Sequence, residues 1–413
     1  MKLEIDQKRL AEELDALGAI SQEPMPVVTR VVFTEADVEA RKYVKKLCLD
    51  TGLDVREDAV GNTFARWVGA DPTRAPVATG SHIDAIPNAG RFDGAVGVLG
   101  GLEAIRALMR AGCKPHRSIE LVIFTSEEPT RFGIGCIGSR LLSGLLDPGA
   151  ASARRDVDGV SLDDARWAAG FNGSLESVRL APGYYSAFVE LHIEQGPLLE
   201  RHNIPIGVVT AIAAPASFRI EIVGEGGHAG AVLMPERHDA FLAAAEIALA
   251  VEKSALSTGS VDTVGTTGVC EVFPGAVNSV PSRVRLEVDV RDIDEARRDS
   301  VLRNIERASE EIARRRGVTT QIHMINNDPP AHCDPRVVNT IVEACQAQNL
   351  AFEHMISRAY HDSLFMSRIA PTAMLFIPCR GGISHRPDEY ASPEWIAQGT
   401  LILAETLARL ASQ

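Results

Sequence analysis

The spacing of apolar positions changes several times along this chain, and each change marks an element. Leu10, Leu14 and Leu17 recur at helical spacing, and the first 52 residues read as helical. Thr34-Glu-Ala-Asp37 is a capping-box-like start for a second helix. Residues 53–69 read as a hairpin turning at Gly61-Asn62. Short apolar strands then alternate with helices. Strands are expected over Pro76–Gly80, Ile119–Thr125 and Phe188–Leu191, and helices over Gly94–Ala111, with small residues early, and over 136–145. That alternation predicts an α/β domain with a largely parallel or mixed sheet.

Residues 213–329 follow a different pattern. Ser217–Val223 alternates as a strand, Asp239–Lys253 is an Ala-rich helix, 261–273 and 279–290 read as strands, Glu295–Arg316 as a long charged helix, and Thr319–Ile325 as a last strand. The order βαββαβ is that of the split βαβ, ferredoxin-like unit, and predicts a compact inserted domain. Arg336–Gln348 (helix), Thr372–Ile377 (strand) and Pro393–Leu410 (amphipathic helix) return to the first style, with Asp328-Pro-Pro-Ala331 as the return hinge. A two-domain protein is expected, with residues 1–212 and 330–413 forming one domain and 213–329 inserted into it.

Composition changes this picture little. Hydrophobic residues make up 45% and charged residues 23%, as in globular chains. A net charge of −13 argues against nucleic acid or an anionic membrane as partner. Seven cysteines, an odd number with no C-x-x-C, fit free thiols in a reducing compartment. The charged N-terminal residues carry no apolar signal region, and no stretch approaches bilayer-spanning length, so a cytoplasmic location is expected.

The candidate chemistry lies where strands end. Gly80-Ser-His-Ile-Asp84 and Gly90-Arg-Phe-Asp-Gly94 follow the first apolar strand, where α/β sheets place ligands. Asp84 is positioned to accept the second ring N–H of His82, and Asp93 to bridge two ions. Glu127 and Glu128 end the next strand; adjacent acids there are costly to bury without a cation. One suits a metal ligand and its neighbour a proton shuttle. His192, in Glu190-Leu-His-Ile-Glu-Gln-Gly-Pro197, and His385, in Gly381-Gly-Ile-Ser-His-Arg-Pro-Asp-Glu389, end two more strands. Any one of these reads equally well as a polar loop, a helix cap or a structural histidine. Taken together, His82, Asp93, Glu128, His192 and His385 fall at strand ends of one α/β pattern, and their donors suit zinc, manganese or cobalt. In the inserted region, His228 within Gly224-Glu-Gly-Gly-His-Ala-Gly230 is suited to stabilising an oxyanion, though a glycine-rich turn explains it as well. Arg291, near Asn278 in the pattern, is suited to a carboxylate, though a surface ion pair to Asp289 or Asp292 explains it too.

These segments together (GSHIDAIPNAGRFDGAVGV, FTSEEPTRFG, ELHIEQGP, GGHAGAVLMPERHDA, NSVPS with DVRD, and GGISHRPDE) resemble the amidase/hydantoinase/carbamoylase branch of the aminoacylase-like dinuclear metallohydrolases, from about residue 30 to the C-terminus. The resemblance implies a hydrolase of non-peptide C–N bonds, acting as a homodimer on a small molecule. It implies a two-metal catalytic domain (1–212 and 330–413) and an inserted lid that also dimerises (213–329). Two divalent ions per subunit are expected, zinc or manganese, with cobalt and nickel as alternatives. His82, Asp93 and His192 would hold one, and Asp93, Glu128 and His385 the other. Glu127 would be the general base, and His228 would reach the site from the other subunit. Gln195, Asn278 and Arg291 would hold the substrate. Three segments (Ala231-Val-Leu-Met234, Pro129-Thr-Arg-Phe132 and Ile356–Ser363) look closest to the ureidoglycolate amidohydrolase group, which would put Tyr360 and His361 near the substrate. N-carbamoyl-L-amino acids, allantoate and β-ureidopropionate are the rival substrates. A di-metal aminopeptidase or deacylase, and a non-catalytic binding protein that kept the fold, are the more distant readings.

Overall fold

The computed structural model describes residues 3–413. The chain divides into two compact units. The first holds the described residues through Thr210 with Cys333–Ser357 and His361–Gln413; the second holds Ala211–His332 and Arg358–Tyr360.

The first unit is built on a mixed sheet. Its strands run, side by side, Asp54–Glu57, Thr63–Trp67, Ile119–Phe124, Val77–His82, Ala187–Ile193, Thr372–Ile377 and Ile206–Ile212. Ile119–Phe124, Val77–His82, Ala187–Ile193 and Thr372–Ile377 are parallel neighbours and are buried at every residue. That burial explains their unbroken or small-residue runs, since a parallel sheet is covered on both faces. Helices Ala95–Arg110 and Pro393–Ala411 pack on the sheet and on each other. The small residues early in Ala95–Arg110 permit this: a Cβ at Gly97 would stand 2.4 Å from the Leu191 carbonyl oxygen. The register sets His82 beside Phe124, and His192 beside Phe376. The four parallel strands therefore end together, and the loops leaving them share one edge.

The second unit is a four-stranded antiparallel sheet in the order Val264–Phe273, Arg283–Asp292, Ala214–Val223, Thr319–Asn327. Helices Ala240–Leu256 and Glu295–Arg316 pack on it. Arg283–Asp292 alternates buried and half-exposed residues, with Val284, Leu286, Val288 and Val290 in the core, as a strand with one covered face must. Among the described residues, no helix is long and apolar enough to cross a membrane. Seven cysteines are free.

The structure departs from the sequence expectation in several places. Residues 1 and 2 of the helical stretch expected over 1–52 lie outside the described residues, and residues 3–52 are not continuously helical: Gln7–Ala19 and Glu35–Asp50 flank a strand, Val28–Arg30, which pairs with Ala85–Ala89. Three residues are too few to show a period. Arg30 is buried there, donating to the carbonyls of Ile83, Leu17 and Ile20. Thr34 caps the second helix, but the reciprocal bond goes from the Phe33 N–H to Asp37, one residue outside the expected box. The strand expected over 279–290 is two pieces, Ser279–Val280 and Arg283–Asp292, broken at Pro281, which has no N–H to donate. Ile206–Ile212 and Phe352–Ser357, both strands, were not anticipated.

Candidate metal centre

The shared edge gathers the histidines and acids of the first unit. Gly94 has φ +63°, and a Cβ on it would stand 2.5 Å from His82 Nε2, so only glycine lets this turn close over the ring. The turn delivers Asp93. Its Oδ1 lies 3.5 Å from His82 Nε2 and 3.1 Å from His192 Nε2, and its Oδ2 lies 3.2 Å from His385 Nε2. Glu128 Oε1 is 3.3 Å from the same nitrogen of His385. Two groups result, His82–Asp93–His192 and Asp93–Glu128–His385, and within each the donor atoms lie within 4.8 Å of one another. Asp93 belongs to both, offering one oxygen to each.

The ring hydrogen bonds show which nitrogens are free to bind. His82 Nδ1 is 3.0 Å from the Asp84 carbonyl and His192 Nδ1 is 2.9 Å from the Ile193 carbonyl. A carbonyl only accepts, so each Nδ1 carries a proton, and Nε2 is left facing Asp93, with a lone pair whenever the ring is neutral. The Gly94 N–H donates to His192 Nε2 at 3.2 Å, consistent with that lone pair. Lone pairs aimed at a carboxylate are matched by a cation between them, and the donor set fits one.

Electrostatics agree. Burial lowers the affinity of His82 for a proton, but Glu127, Asp93 and Asp84 override it and hold the imidazole well above its ordinary range. Hydrogen bonding to Asp93 raises His385 to about 9. Burial pushes Glu128 up to about 7, with Asp93 adding to it, and pushes Glu127 well above the usual carboxylate range, with Glu128 adding there. Asp93 goes the other way: burial opposes its charge, but the three histidines hold it well below normal. Such a cluster of acids wants positive charge.

Asp84 does not do what its spacing suggested. The ring N–H of His82 goes to its backbone carbonyl, and its carboxylate oxygen stands 3.7 Å away. The carboxylate accepts instead the backbone N–H groups of Glu127 at 3.2 Å and Glu128 at 3.0 Å. The chain turns at Ser126, φ +57°, and leaves those two donors without strand partners. Gln195 lies at the same edge, where its amide nitrogen donates to Asp93 Oδ2 at 2.7 Å. Its Oε1 is buried with no hydrogen-bond partner. His361 is buried, its Nε2 3.1 Å from Ser357 Oγ and its ring 4.5 Å from that of His192. With Glu190 and His192 it makes a third close group of donors.

The second unit brings its own residues together in two places. Gly227–His228 pairs with Ser279–Val280, and the Ala229 N–H donates to the Asn278 carbonyl, so exposed His228 and exposed Asn278 are neighbours. Arg291 donates to Asp289 Oδ1 at 2.7 Å, and its guanidinium lies 5.8 Å from the Tyr360 ring centre.

Residues 78–409 match the peptidase family M20/M25/M40. The chain belongs to this family. It is a hydrolase. It is 55% identical to ureidoglycolate hydrolase of Arabidopsis thaliana over 99% of this chain and 87% of that protein. It is 38% identical to N-carbamoyl-L-amino acid amidohydrolase of Geobacillus stearothermophilus, over 98% and 99% of the two chains. The crystal structure of AtUAH in complex with (S)-hydroxyglycine superposes with a TM-score of 0.92 at 54% identity, covering 100% of this chain and 99% of that one, and the glyoxylate complex does so equally well. The family resemblance read from the motifs is thus borne out.

Within this M20/M25/M40 hydrolase, four site neighbours escaped sequence reasoning. Glu190 accepts from Ser81 Oγ at 2.7 Å and Ser363 Oγ at 2.6 Å. Asp362 accepts from Ser139 Oγ at 2.5 Å, and burial, then Glu190, raises it to about 8. Cys136 Sγ lies 3.6 Å from Glu127 Oε1. Glu389 accepts two backbone N–H groups at the Asp93 turn. A signal existed for three of them: Glu190, Asp362 and Glu389 are acids inside segments already singled out.

Proposed function

We propose that this protein is a dinuclear metal-dependent amidohydrolase that cleaves the ureido C–N bond of ureidoglycolate, releasing ammonia and carbon dioxide. The observation that carries the metal reading is the sharing of Asp93 between two donor groups. His82, Asp93 and His192 would hold one divalent ion, zinc or manganese, and Asp93, Glu128 and His385 a second. Such ions supply Lewis acidity toward a carbonyl and toward water.

The protein's own residues do the rest. Glu127 is buried beside the site, where burial raises its affinity for a proton, the direction that suits a general base. It takes the proton of the attacking water and passes it to the leaving nitrogen. Asp84 holds the backbone that aims Glu127. Arg291 and Asn278 bind the substrate carboxylate, and His228, reaching the site from the other subunit of a homodimer, steadies the developing oxyanion. Gln195, Tyr360 and His361 complete the substrate contacts. The second unit acts as lid and dimerisation domain for residues 1–212 and 330–413.

The substrate rests on chemistry as well as on identity. Cleavage of the ureido bond of ureidoglycolate leaves hydroxyglycine, and hydroxyglycine that loses ammonia is glyoxylate. Those two molecules are the ones bound in the similar crystal structures. The test is ammonia release from ureidoglycolate, allantoate, β-ureidopropionate and several N-carbamoyl-L-amino acids. Ureidoglycolate is expected to give the highest kcat/KM; a higher value with an N-carbamoyl-L-amino acid overturns the substrate.

A further inference from the structure

Two loops distant in sequence meet at the metal groups: the turn Gly90–Gly94, which carries Asp93, and the loop that carries His385. Glu389 joins them. Its Oε1 accepts the backbone N–H of Phe92 at 2.8 Å and of Asp93 at 3.1 Å. Its Oε2 stands 2.8 Å from Ser384 Oγ, and that hydroxyl stands 2.8 Å from Asp93 Oδ2. The side chain is almost wholly buried, at 5% exposure. The turn is shaped around it: a Cβ on Gly90 would lie 2.4 Å from Glu389 Cβ and 2.5 Å from its Oε1. A buried acid is costly unless its oxygens are engaged, and each oxygen of this one is engaged by a group that leads to a metal-site residue. Oε1 grips the backbone of Asp93, and Oε2 reaches its carboxylate through the residue preceding His385.

We propose that Glu389 is a positioning residue that locks the Asp93 turn to the His385 loop, so that one carboxylate serves both metal groups. The proposal rests on the metal reading above. Partners behind metal ligands fix ligand orientation, and losing one costs about 10–100-fold in metal affinity.

The experiment is zinc titration of the full-length, metal-stripped protein against a chromogenic chelator. Wild type is expected to take up two equivalents. Glu389→Ala is expected to bind them about 10–100-fold more weakly, and Glu389→Gln to recover most of that loss, because its carbonyl oxygen still accepts both N–H groups. A purely structural residue would lower the melting temperature in chelator without this graded change in affinity. Ser384→Ala removes only the hydroxyl between the two acids, and is expected to weaken zinc binding while leaving the buried glutamate in place; it carries the test if Glu389→Ala does not fold. Wild-type zinc affinity in both Glu389→Ala and Ser384→Ala, or in Ser384→Ala alone where the other does not fold, overturns the proposal. So does a Glu389→Gln that binds no better than Glu389→Ala. A wild-type protein that takes up no zinc overturns the metal reading itself, and this proposal with it.

Discussion

Glu127 and Glu128 are adjacent in the chain, yet their carboxylates face different histidines. Glu127 Oε2 lies 3.8 Å from His82 Nε2, and Glu128 Oε1 lies 3.3 Å from His385 Nε2. The left-handed turn at Ser126 and the grip of Asp84 on both backbone N–H groups separate them. Division of labour follows from that geometry. Glu128 meets the His385 group that shares Asp93, while Glu127 is left with a thiol and a more distant ring for neighbours.

Glu127→Gln tests this division most directly. The amide keeps the shape but cannot take a proton. Turnover is expected to fall by about 10²–10⁴-fold while zinc content by elemental analysis stays at the wild-type level. Near-normal turnover would remove Glu127 from the role of base; lost zinc would make it a ligand instead.

Asp84 gives a different signature, because it acts on the backbone and not on the imidazole. In Asp84→Ala the N–H groups of Glu127 and Glu128 lose their acceptor, while the His82 ring keeps its bond to the carbonyl of residue 84. Both the base and one ligand should drift. The expected result is a loss of about 10–100-fold in kcat together with weaker zinc binding. If zinc affinity and kcat are both unchanged, the carboxylate does not hold this turn.

Acidity sets a further expectation, for the metal-free protein. Burial holds a proton on Glu128 up to about 7 and on Asp362 up to about 8, and bonding to Asp93 holds one on His385 up to about 9. In the unfolded chain the two carboxyls lose theirs near 4 and the imidazole near 6.5. Between those limits the folded state binds more protons, so its stability falls as pH rises. Melting temperature in chelator should therefore be lower at about pH 8 than at about pH 5.5. Zinc displaces the protons on Glu128 and His385, so the stabilisation it gives should grow over that range. A melting temperature in chelator that stays flat or rises with pH contradicts this account.

Much of the site was legible in the sequence because parallel strands end together. Apolar runs located Val77–His82, Ile119–Phe124, Ala187–Ile193 and Thr372–Ile377, and the polar residues after them had to share an edge. What spacing did not reveal was which atom of a residue acts. Asp84 was read by its side chain, while its carbonyl takes the ring proton. Gln195 was read only as a hand for the substrate, and its amide nitrogen also donates to Asp93. Glu389 was quoted in its motif and given no role, because its partners are backbone N–H groups at residues 92 and 93, and a bond to backbone leaves no trace in sequence pattern. Val28–Arg30 was lost for a simpler reason: a three-residue strand is shorter than any period that would announce it.

His228 makes the most exacting prediction, because it asks where one active site ends. The residue is exposed, and Gly230 donates to its Nδ1 at 3.1 Å, which leaves Nε2 to carry the proton and act as donor. If that donor serves the other subunit, two inactive variants repair one another. Mix His228→Ala with Glu127→Gln and let the subunits exchange. Half the dimers will be hybrids. Each hybrid has one site that lacks both residues and one site with both intact. Recovery of about a quarter of wild-type activity is then expected for free, equal exchange between twofold dimers. Neither variant alone recovers, and the gain should appear only on the timescale of subunit exchange, followed by native mass spectrometry of differently tagged chains. Hybrids that form and stay inactive would confine the site, His228 included, to a single subunit.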